Sequence, residues 1–413
     1  MDRRTMLARS GLAIVGLGVT GCSPRRSPQL PASVPGRQPI TLARVQVSWD
    51  RVIRTTVGLR PHRPSGFVLR AEMLDSKTVI HNFGHGGAGM SLSWGTASLA
   101  SDLALLHSER RAAVLGCGVV GLTSARELQR RGFDVTIYAA TVPPDTTSNM
   151  SLAGFTPLSG LVILDRRTPA WEDQFRRAVD IAYRRLQLLV GPRYGVSWLN
   201  SYTPTDDAEI VRVTNPLLPQ PIQGSQVLLQ PGEHPFPTPY AIERPGMRIE
   251  PSIYLEALMR DVVLFGGRIA IRRFDTPRDL MTLPEPIVVN CTGLGSKALF
   301  GDSELMPLKG QLTVLVPQPE VTYGTLGGFS SSGSAPGVGI HMMPRSDGIV
   351  LGGTSEPDVW TMEVNESERQ RIVTGHMELF AAFHAPSNGR RTARSTGPPS
   401  APPLAGAFFD LAY

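Results

Sequence analysis

Hydrophobic and polar positions along the chain fall into short apolar runs separated by longer stretches of helical spacing. Runs rich in apolar residues at 112–115, 133–138 and 287–290 are typical of buried strands in a parallel sheet. Apolar residues that recur every three or four positions predict helices at 96–107, 119–131, 171–189, 252–265 and 366–383. Strands that alternate with helices in this way favour an α/β fold.

The first 22 residues are typical of a targeting signal. The twin arginine Arg3-Arg4 precedes an apolar stretch at 11–21, which is too short to span a bilayer core of about 30 Å. The stretch ends Val-Thr-Gly-Cys22, which resembles a bacterial lipobox whose cysteine becomes lipidated. We therefore predict export and attachment to the cell envelope through Cys22, in the periplasm or on the outer face of the cytoplasmic membrane. A simple membrane anchor and an artefact of start-site choice are the alternatives.

Composition excludes several classes of partner. The 413 residues, 41% of them hydrophobic, suffice for a core without crosslinks. The net charge of +6 comes from scattered arginines, and no basic face interleaved with aromatic residues is visible, so we predict no nucleic-acid partner. Three cysteines cannot form a disulfide framework, and no Cys/His spacing predicts a metal site.

A glycine-rich turn at 116–121 carries the clearest chemical signal. It follows a predicted strand, opens a predicted helix and has the pattern GxGxxG. Gly116 permits a tight turn, Gly118 lets the backbone approach a pyrophosphate, and Gly121 allows the helix to pack closely on the strand. The first helical amides, at Val119 and Val120, lie at the positive end of the helix dipole. The turn predicts a dinucleotide site.

The turn alone does not separate FAD from NAD. An acidic residue is expected at the end of the second strand, but that strand ends Tyr138-Ala139-Ala140. The ribose is then held by backbone groups or by Thr141, and the case for a nicotinamide cofactor in particular is weaker.

Three further segments carry a resemblance to a known family. They are TVGLRPHRP at 56–64 with HNFGHGGAGM at 81–90 and WG at 94–95, TTSN at 146–149 with AGF at 153–155, and VVNCTG at 288–293 with KGQ at 309–311. Together with the glycine turn they resemble the D-amino-acid oxidase family, FAD enzymes that include D-aspartate oxidase. The resemblance covers roughly residues 45–383, and HNFGHGG is its most specific element.

The order of these segments is unusual. In that family the glycine turn opens the chain, and the arginine and HGG segments close it. Here the closing segments come first, which we interpret as a natural circular permutation. The new ends would fall at 23–43 and 384–413, two stretches whose composition predicts disorder.

The resemblance implies a Rossmann-type FAD-binding domain interleaved with an α+β substrate domain built on a mixed sheet. The expected divisions are a signal at 1–22, a disordered tether at 23–43, a substrate-domain strand carrying Arg60 at 44–65, FAD-binding segments at 66–155 and 248–300, substrate-domain segments at 156–247 and 301–383, and a disordered tail at 384–413.

The resemblance also implies residue roles. Arg60 grips the substrate carboxylate, and the carbonyl of Gly87 accepts from the substrate amine. The loop at 86–90 lies beside the flavin's N1–C2=O edge, where its amides stabilise the anionic reduced flavin. His81 and His85 are expected to be structural. The implied cofactor-binding residues are Gly86, Gly87, Ala88, Gly89, Met90, Gly116, Gly118, Val119, Val120, Gly121, Thr146, Thr147, Ser148, Gly154, Phe155, Thr292 and Gly293.

The family's chemistry needs no strong side-chain base, so no catalytic side chain is assigned. A neutral amine loses its α-hydrogen as hydride to flavin N5, and the imino acid hydrolyses to a 2-oxo acid and ammonia. The reduced flavin then passes its electrons to O₂ or another acceptor.

One segment departs from the family. Where a pair of tyrosines shapes the substrate pocket, this chain has GVGIHMMP at 337–344, with His341 at one tyrosine position and glycine at the other. We expect His341 to donate to the substrate carboxylate and, when protonated, to favour an acidic side chain. A packing role is the alternative.

The leading interpretation is therefore an exported FAD oxidase of D-amino acids. A membrane-tethered dehydrogenase that uses a quinone or carrier, a non-catalytic flavin-binding lipoprotein and an NAD-dependent dehydrogenase are the competing ones. The sequence does not indicate the oligomeric state.

Overall fold

A computed structural model describes residues 37–152, 154–209, 215–327 and 339–384. The predicted signal, most of the predicted tether and nearly all of the predicted tail lie outside these residues. The prediction of disorder was wrong for 37–43, because this segment packs on the protein. Ile40 donates its amide to Glu233 O at 2.9 Å, and Ile40, Leu42 and Ala43 lie against a buried apolar cluster.

The described strands form two sheets. The strands of the first are β2 Val68–Leu74, β3 Lys77–Phe83, β4 Arg111–Leu115, β5 Asp134–Ala139, β9 Arg268–Ile271 and β10 Ile287–Asn290. Their order is β2-β3-β10-β4-β5-β9, and all pairs are parallel except the β2–β3 hairpin. The central strand β10 places Val289 between Ile80 and Val114. All three side chains are buried, as expected for a parallel sheet covered on both faces.

Helices cover this parallel sheet. They include α1 Gly89–Ala104, α2 Val119–Arg130, α3 Pro169–Gln187 and α5 Pro251–Leu264, with the short α4 Gln220–Gln223 and α6 Gly295–Phe300 elsewhere in the chain. Helix α1 packs against α2 and α3. Helix α3 begins after Thr168, whose Oγ1 accepts from the amide of Trp171 at 3.2 Å, with Pro169 at the first helical position.

The second sheet is mixed. Its strands are β1 Val52–His62, β6 Val196–Thr205, β7 Val227–Leu229, β8 Tyr240–Ile249, β11 Met306–Leu315, β12 Tyr323–Leu326, β13 His341–Arg345, β14 Gly348–Gly352 and β15 Glu356–Pro357. The order is β1-β11-β14-β13-β12-β6-β8-β7, with β15 beside β11. Only β12 and β6 pair in parallel among these described strands. Helix α7, Glu366–Ala381, packs on β11 and β14.

These two sheets confirm the predicted fold class, a Rossmann-type parallel sheet interleaved with a mixed one. The segment before the glycine turn contributes to both, because β1 joins the mixed sheet while β2 and β3 join the parallel sheet. No helix within the described ranges is long and apolar enough to cross a membrane.

Candidate active site

A cavity of about 640 Å³ is lined by residues from both sheets. Sixteen of the predicted site residues lie on its wall: Arg60, Gly86, Gly87, Gly89, Met90, Gly116, Gly118, Val119, Val120, Thr146, Thr147, Ser148, Gly154, Thr292, Gly293 and His341. Residues from six separate segments of the chain therefore meet in one place.

Three predicted residues do not reach the wall. Ala88 is fully buried beneath the loop. Gly121 lies in the first turn of α2, where an added Cβ would come within 2.0 Å of Gly116 O, so it serves the close helix–strand packing predicted for it. Phe155 was expected to line the cofactor ring. Its ring instead packs on Tyr183 at 5.4 Å between centroids and belongs to the core.

The glycine turn has the local geometry of an anion site. Gly116 has a φ of +100°, which favours glycine, and an added Cβ would lie 2.6 Å from Cys291 O. Gly118 precedes α2 without a side-chain cap. The amide of Val119 donates to Ser148 Oγ at 3.0 Å. The N-terminus of α2 thus faces the cavity. The small side chain of Ser148, which accepts from the amide of Val119, leaves room for a ligand.

The loop at 86–90 forms a second helix N-terminus at the cavity. Gly86 has a φ of +53°, and a Cβ there would lie 1.7 Å from Gly160 O, so only glycine fits. The amide of Gly87 donates to Ser159 O at 2.9 Å, and α1 then begins at Gly89 without a side-chain cap. A Cβ at Gly87 would lie 3.4 Å from Arg60 Cδ, which places the loop directly beside that arginine.

Arg60 is a partly buried cation held by neutral groups. Its Nε donates to Leu308 O at 2.9 Å, and its Nη2 donates to Thr354 O at 3.1 Å. Weaker contacts join Nη2 to Lys309 O at 3.4 Å and to Ser355 Oγ at 3.3 Å. Burial lowers the pKa of Arg60 to about 10, which still leaves it charged at neutral pH. No carboxylate forms an ion pair with it among the described residues, so an anion is missing from this site.

The neighbouring Arg63 provides the contrast. It forms ion pairs with Asp302 at 2.9 Å and Glu304 at 3.1 Å. Its charge is already neutralised by the protein, which indicates a structural role for Arg63.

The two histidines of the HNFGHGG segment make interactions within the fold. The ring of His85 is buried and hydrogen-bonds Thr96 Oγ1 at 3.0 Å, and burial lowers its pKa to about 3. His81 bonds the amide of Asn290 at 3.1 Å. Asn290 Oδ1 in turn accepts from Thr292 Oγ1 at 2.8 Å. These contacts hold the cavity wall in place. His85 lines the cavity, but its lowered pKa keeps the ring neutral.

His341 is neutral in this structure. It lies opposite Gly352 in the β13–β14 ladder, where its Nε2 would be 2.7 Å from an added Cβ. Burial and the nearby cationic groups of His376, Arg60 and Arg371 lower the pKa of His341 to about 3. Burial therefore opposes protonation of His341, and the substrate preference expected of its protonated form stays a prediction.

Comparison with known proteins identifies the family. A family model described as FAD dependent oxidoreductase matches residues 111–407, more than half of the chain. The chain belongs to this family.

Curated proteins that are similar in sequence to this chain support the same family. A D-amino acid oxidase of Dugesia ryukyuensis is 26% identical over 275 residues, which cover 64% of this chain and 75% of the relative. A D-amino-acid oxidase of Rubrobacter xylanophilus is 28% identical over 273 residues, with the same two coverages of 64% and 75%. The D-aspartate oxidase of Homo sapiens is 26% identical over 291 residues, which cover 68% of this chain and 79% of the relative. The predicted resemblance is confirmed.

FAD is accordingly the cofactor of this oxidoreductase, and the cavity residues fit it. The glycine turn presents unobstructed backbone at Gly118, where an added Cβ would have only Ser148 Oγ within 4 Å, at 3.2 Å. Residues 116–120 and 146–148 would hold the pyrophosphate, while the loop at 86–90 and the turn at 292–293 would hold the flavin end. Burial raises the pKa of the Cys117 and Cys291 thiols to about 12. Both thiols are therefore protonated and unreactive.

The sequence did not point to one part of the wall. Residues 272–275 follow β9 and line the cavity together with Tyr138 and Thr141. Strand β9 pairs in parallel with β5, so the carboxyl ends of both strands meet at the same sheet edge. This brings Asp275 to the side of the cavity where an acidic residue was missing from the end of β5. Only the strand pairing reveals this, because 128 residues of chain lie between the two strands in the sequence.

Proposed function

We propose that this oxidoreductase catalyses the oxidative deamination of D-amino acids to 2-oxo acids and ammonia, with O₂ as the electron acceptor. One observation carries the proposal: the partly buried guanidinium of Arg60 has no counter-ion among the described residues and lies beside the loop at 86–90 in the cofactor cavity. A buried cation without a partner is costly, and an anionic ligand removes that cost.

The anion that suits this site is an α-carboxylate. Backbone carbonyls fix Nε and Nη2 of Arg60, so the guanidinium has a defined plane. A planar fork of this kind binds carboxylates with two parallel charge-assisted hydrogen bonds. Within the described residues Nη1 makes no hydrogen bond, and the second hydrogen of Nη2 has only the longer contacts to Lys309 O at 3.4 Å and Ser355 Oγ at 3.3 Å. Nη1 and Nη2 can therefore both donate to the ligand.

The remaining groups orient the amine. The carbonyl of Gly87, in the loop that touches Arg60, suits a substrate amine as donor. Bound FAD supplies the acceptor for the hydride that leaves the substrate α-carbon. The neutral His341 can donate one hydrogen bond to the carboxylate and brings no second positive charge. Orientation by these groups is what the chain contributes to the rate.

The D configuration is supported by the curated relatives, which are named D-amino acid oxidases and a D-aspartate oxidase. It is supported also by the HNFGHGG and GLRPHRP segments on which the family resemblance rests. We further propose that the chain is circularly permuted relative to that family. The match to the family begins at residue 111, yet Arg60 and the loop at 86–90 precede it and line the same cavity.

The division into interleaved domains, export to the cell envelope and lipidation of Cys22 remain proposals drawn from the sequence. Cys22 and the twin arginine lie outside the described residues.

An anaerobic titration tests the proposed activity. The purified protein carrying FAD is mixed without oxygen with D-alanine, L-alanine or D-aspartate, and the visible flavin absorbance is followed. We expect D-alanine to bleach the flavin and L-alanine to leave it unchanged. Admission of air should then restore the absorbance and release peroxide. Bleaching without peroxide would favour a dehydrogenase with another acceptor, and no bleaching by any D-amino acid would contradict the proposal.

A further inference from the structure

Gly310 lies directly under the side chain of Arg60. Strand β1 places Arg60 opposite Leu308 on β11, so Gly310 is the next residue along β11 on the same face of the sheet. A Cβ added at Gly310 would lie 3.2 Å from Arg60 Nη2, 3.3 Å from Cζ and 3.5 Å from Nε. The guanidinium therefore rests against bare backbone.

This contact fixes the height of the guanidinium above the sheet. The carbonyls that hold Nε and Nη2 belong to Leu308 and Thr354, on either side of Gly310. Both bonds, at 2.9 and 3.1 Å, require the guanidinium to lie close to the backbone of β11. A methyl group at position 310 would lift it by a few tenths of an ångström and lengthen both.

Nothing else in the surroundings of Gly310 requires glycine. The three nearest heavy atoms to an added Cβ all belong to the Arg60 side chain, and none is backbone. The backbone at this position is outside the left-handed region, so alanine fits the strand itself. In a strand, alanine is preferred over glycine by about 0.5–1 kcal/mol. Glycine is thus unfavourable for the strand, and among protein contacts it favours the close approach of Arg60.

We propose that Gly310 is a positioning residue for the substrate carboxylate: its missing side chain sets the plane and depth at which Arg60 meets the ligand. The proposal rests on the proposed function, because it assumes that Arg60 binds that carboxylate. Gly310 itself lines the cavity but offers no side-chain atom to a ligand.

The test compares Gly310→Ala with the matched control Gly246→Ala. Gly246 also lies in a strand of the mixed sheet, and no heavy atom lies within 4 Å of its added Cβ. Two quantities are measured on FAD-loaded protein: the Kd of acetate from the flavin spectrum, and KM and kcat for D-alanine. We expect Gly310→Ala to raise both Kd and KM about three- to tenfold, because small misplacements of a binding group are costly. We expect kcat, FAD content and Tm to stay unchanged, and Gly246→Ala to match the wild type throughout.

The outcomes separate the two proposals. If the wild type oxidises no D-amino acid, the proposed function fails, while the acetate Kd still tests Gly310. If Gly310→Ala leaves the acetate Kd within the error of the wild type, or lowers Tm and FAD content in parallel with binding, Gly310 does not position Arg60. D-Alaninamide, which lacks the carboxylate, should show no change in KM between the two variants. An equal rise in its KM would also overturn the proposal.

Discussion

Replacement of Arg60 by methionine gives the most informative perturbation of the site. Methionine keeps a long flexible side chain and removes the charge and all guanidinium donors. In the wild type Nη1 and Nη2 of Arg60 would each donate a charge-assisted hydrogen bond to the carboxylate. Such a bond contributes about 1.5–3 kcal/mol. Their loss amounts to about 3–6 kcal/mol, which corresponds to a fall in kcat/KM of about 10²- to 10⁴-fold.

The stability of Arg60→Met should change far less than its activity. The charge of Arg60 is buried without a counter-ion among the described residues, so its removal relieves a desolvation cost. The carbonyls of Leu308 and Thr354 lose their donors, which offsets that gain. We expect the Tm of Arg60→Met to lie within a few degrees of the wild-type value.

Arg63→Met is the matched control. This substitution breaks two ion pairs, with Asp302 and Glu304, and leaves both carboxylates without their cationic partner. It should lower Tm and leave kcat/KM nearly unchanged. The assay is initial-rate formation of the 2-oxo acid from D-alanine, a product that is the same whether O₂ or another acceptor reoxidises the flavin, with Tm measured by thermal melting. Retention of kcat/KM within about threefold in Arg60→Met would refute the assignment of Arg60.

Three further predictions follow from single observations. Burial lowers the pKa of His85 and His341 to about 3, so protons bind the unfolded chain more readily than the folded one below about pH 6.5. Stability should therefore fall between pH 6.5 and 4, by up to about 1.4 kcal/mol per pH unit for each buried histidine, and a Tm that is constant from pH 7 to pH 5 would contradict this. Gly86→Ala should prevent folding or FAD binding, because its Cβ would lie 1.7 Å from a carbonyl oxygen. Gly246→Ala, which lies outside the cavity wall and whose Cβ has no heavy atom within 4 Å, should bind FAD normally in the same spectral assay. Finally, Cys22→Ser should move the protein from the membrane to the soluble fraction of a bacterial host, whereas an unchanged distribution would argue against lipidation.

Sequence patterns located the elements with a clear periodicity. The strand predicted at 287–290 agrees with β10, and the helix predicted at 119–131 agrees with α2 within one residue. Helix α1 was expected only from residue 96 but begins at Gly89. Its first two turns are buried on nearly every side, so no polar face marks them. Burial on all sides removes the signal on which the prediction depends.

The candidate site was accessible from the sequence where backbone geometry demands glycine or where a motif is long enough to be specific. The turn at 116–121 and the segment at 81–90 belong to this class. The contributions of residues 272–275 and of Gly310 were not accessible, because both depend on which strands pair. The protonation state of His341 depends on its burial and on groups from two other elements, β1 and α7, which only the folded chain brings together.

A crystal structure of the FAD-bound protein soaked with acetate would show whether Arg60 binds a carboxylate beside the flavin. We expect the carboxylate to form two hydrogen bonds with the guanidinium of Arg60, next to the loop at 86–90 and on the flavin's catalytic face. A carboxylate bound elsewhere, or an Arg60 side chain screened from the flavin by packed residues, would contradict it.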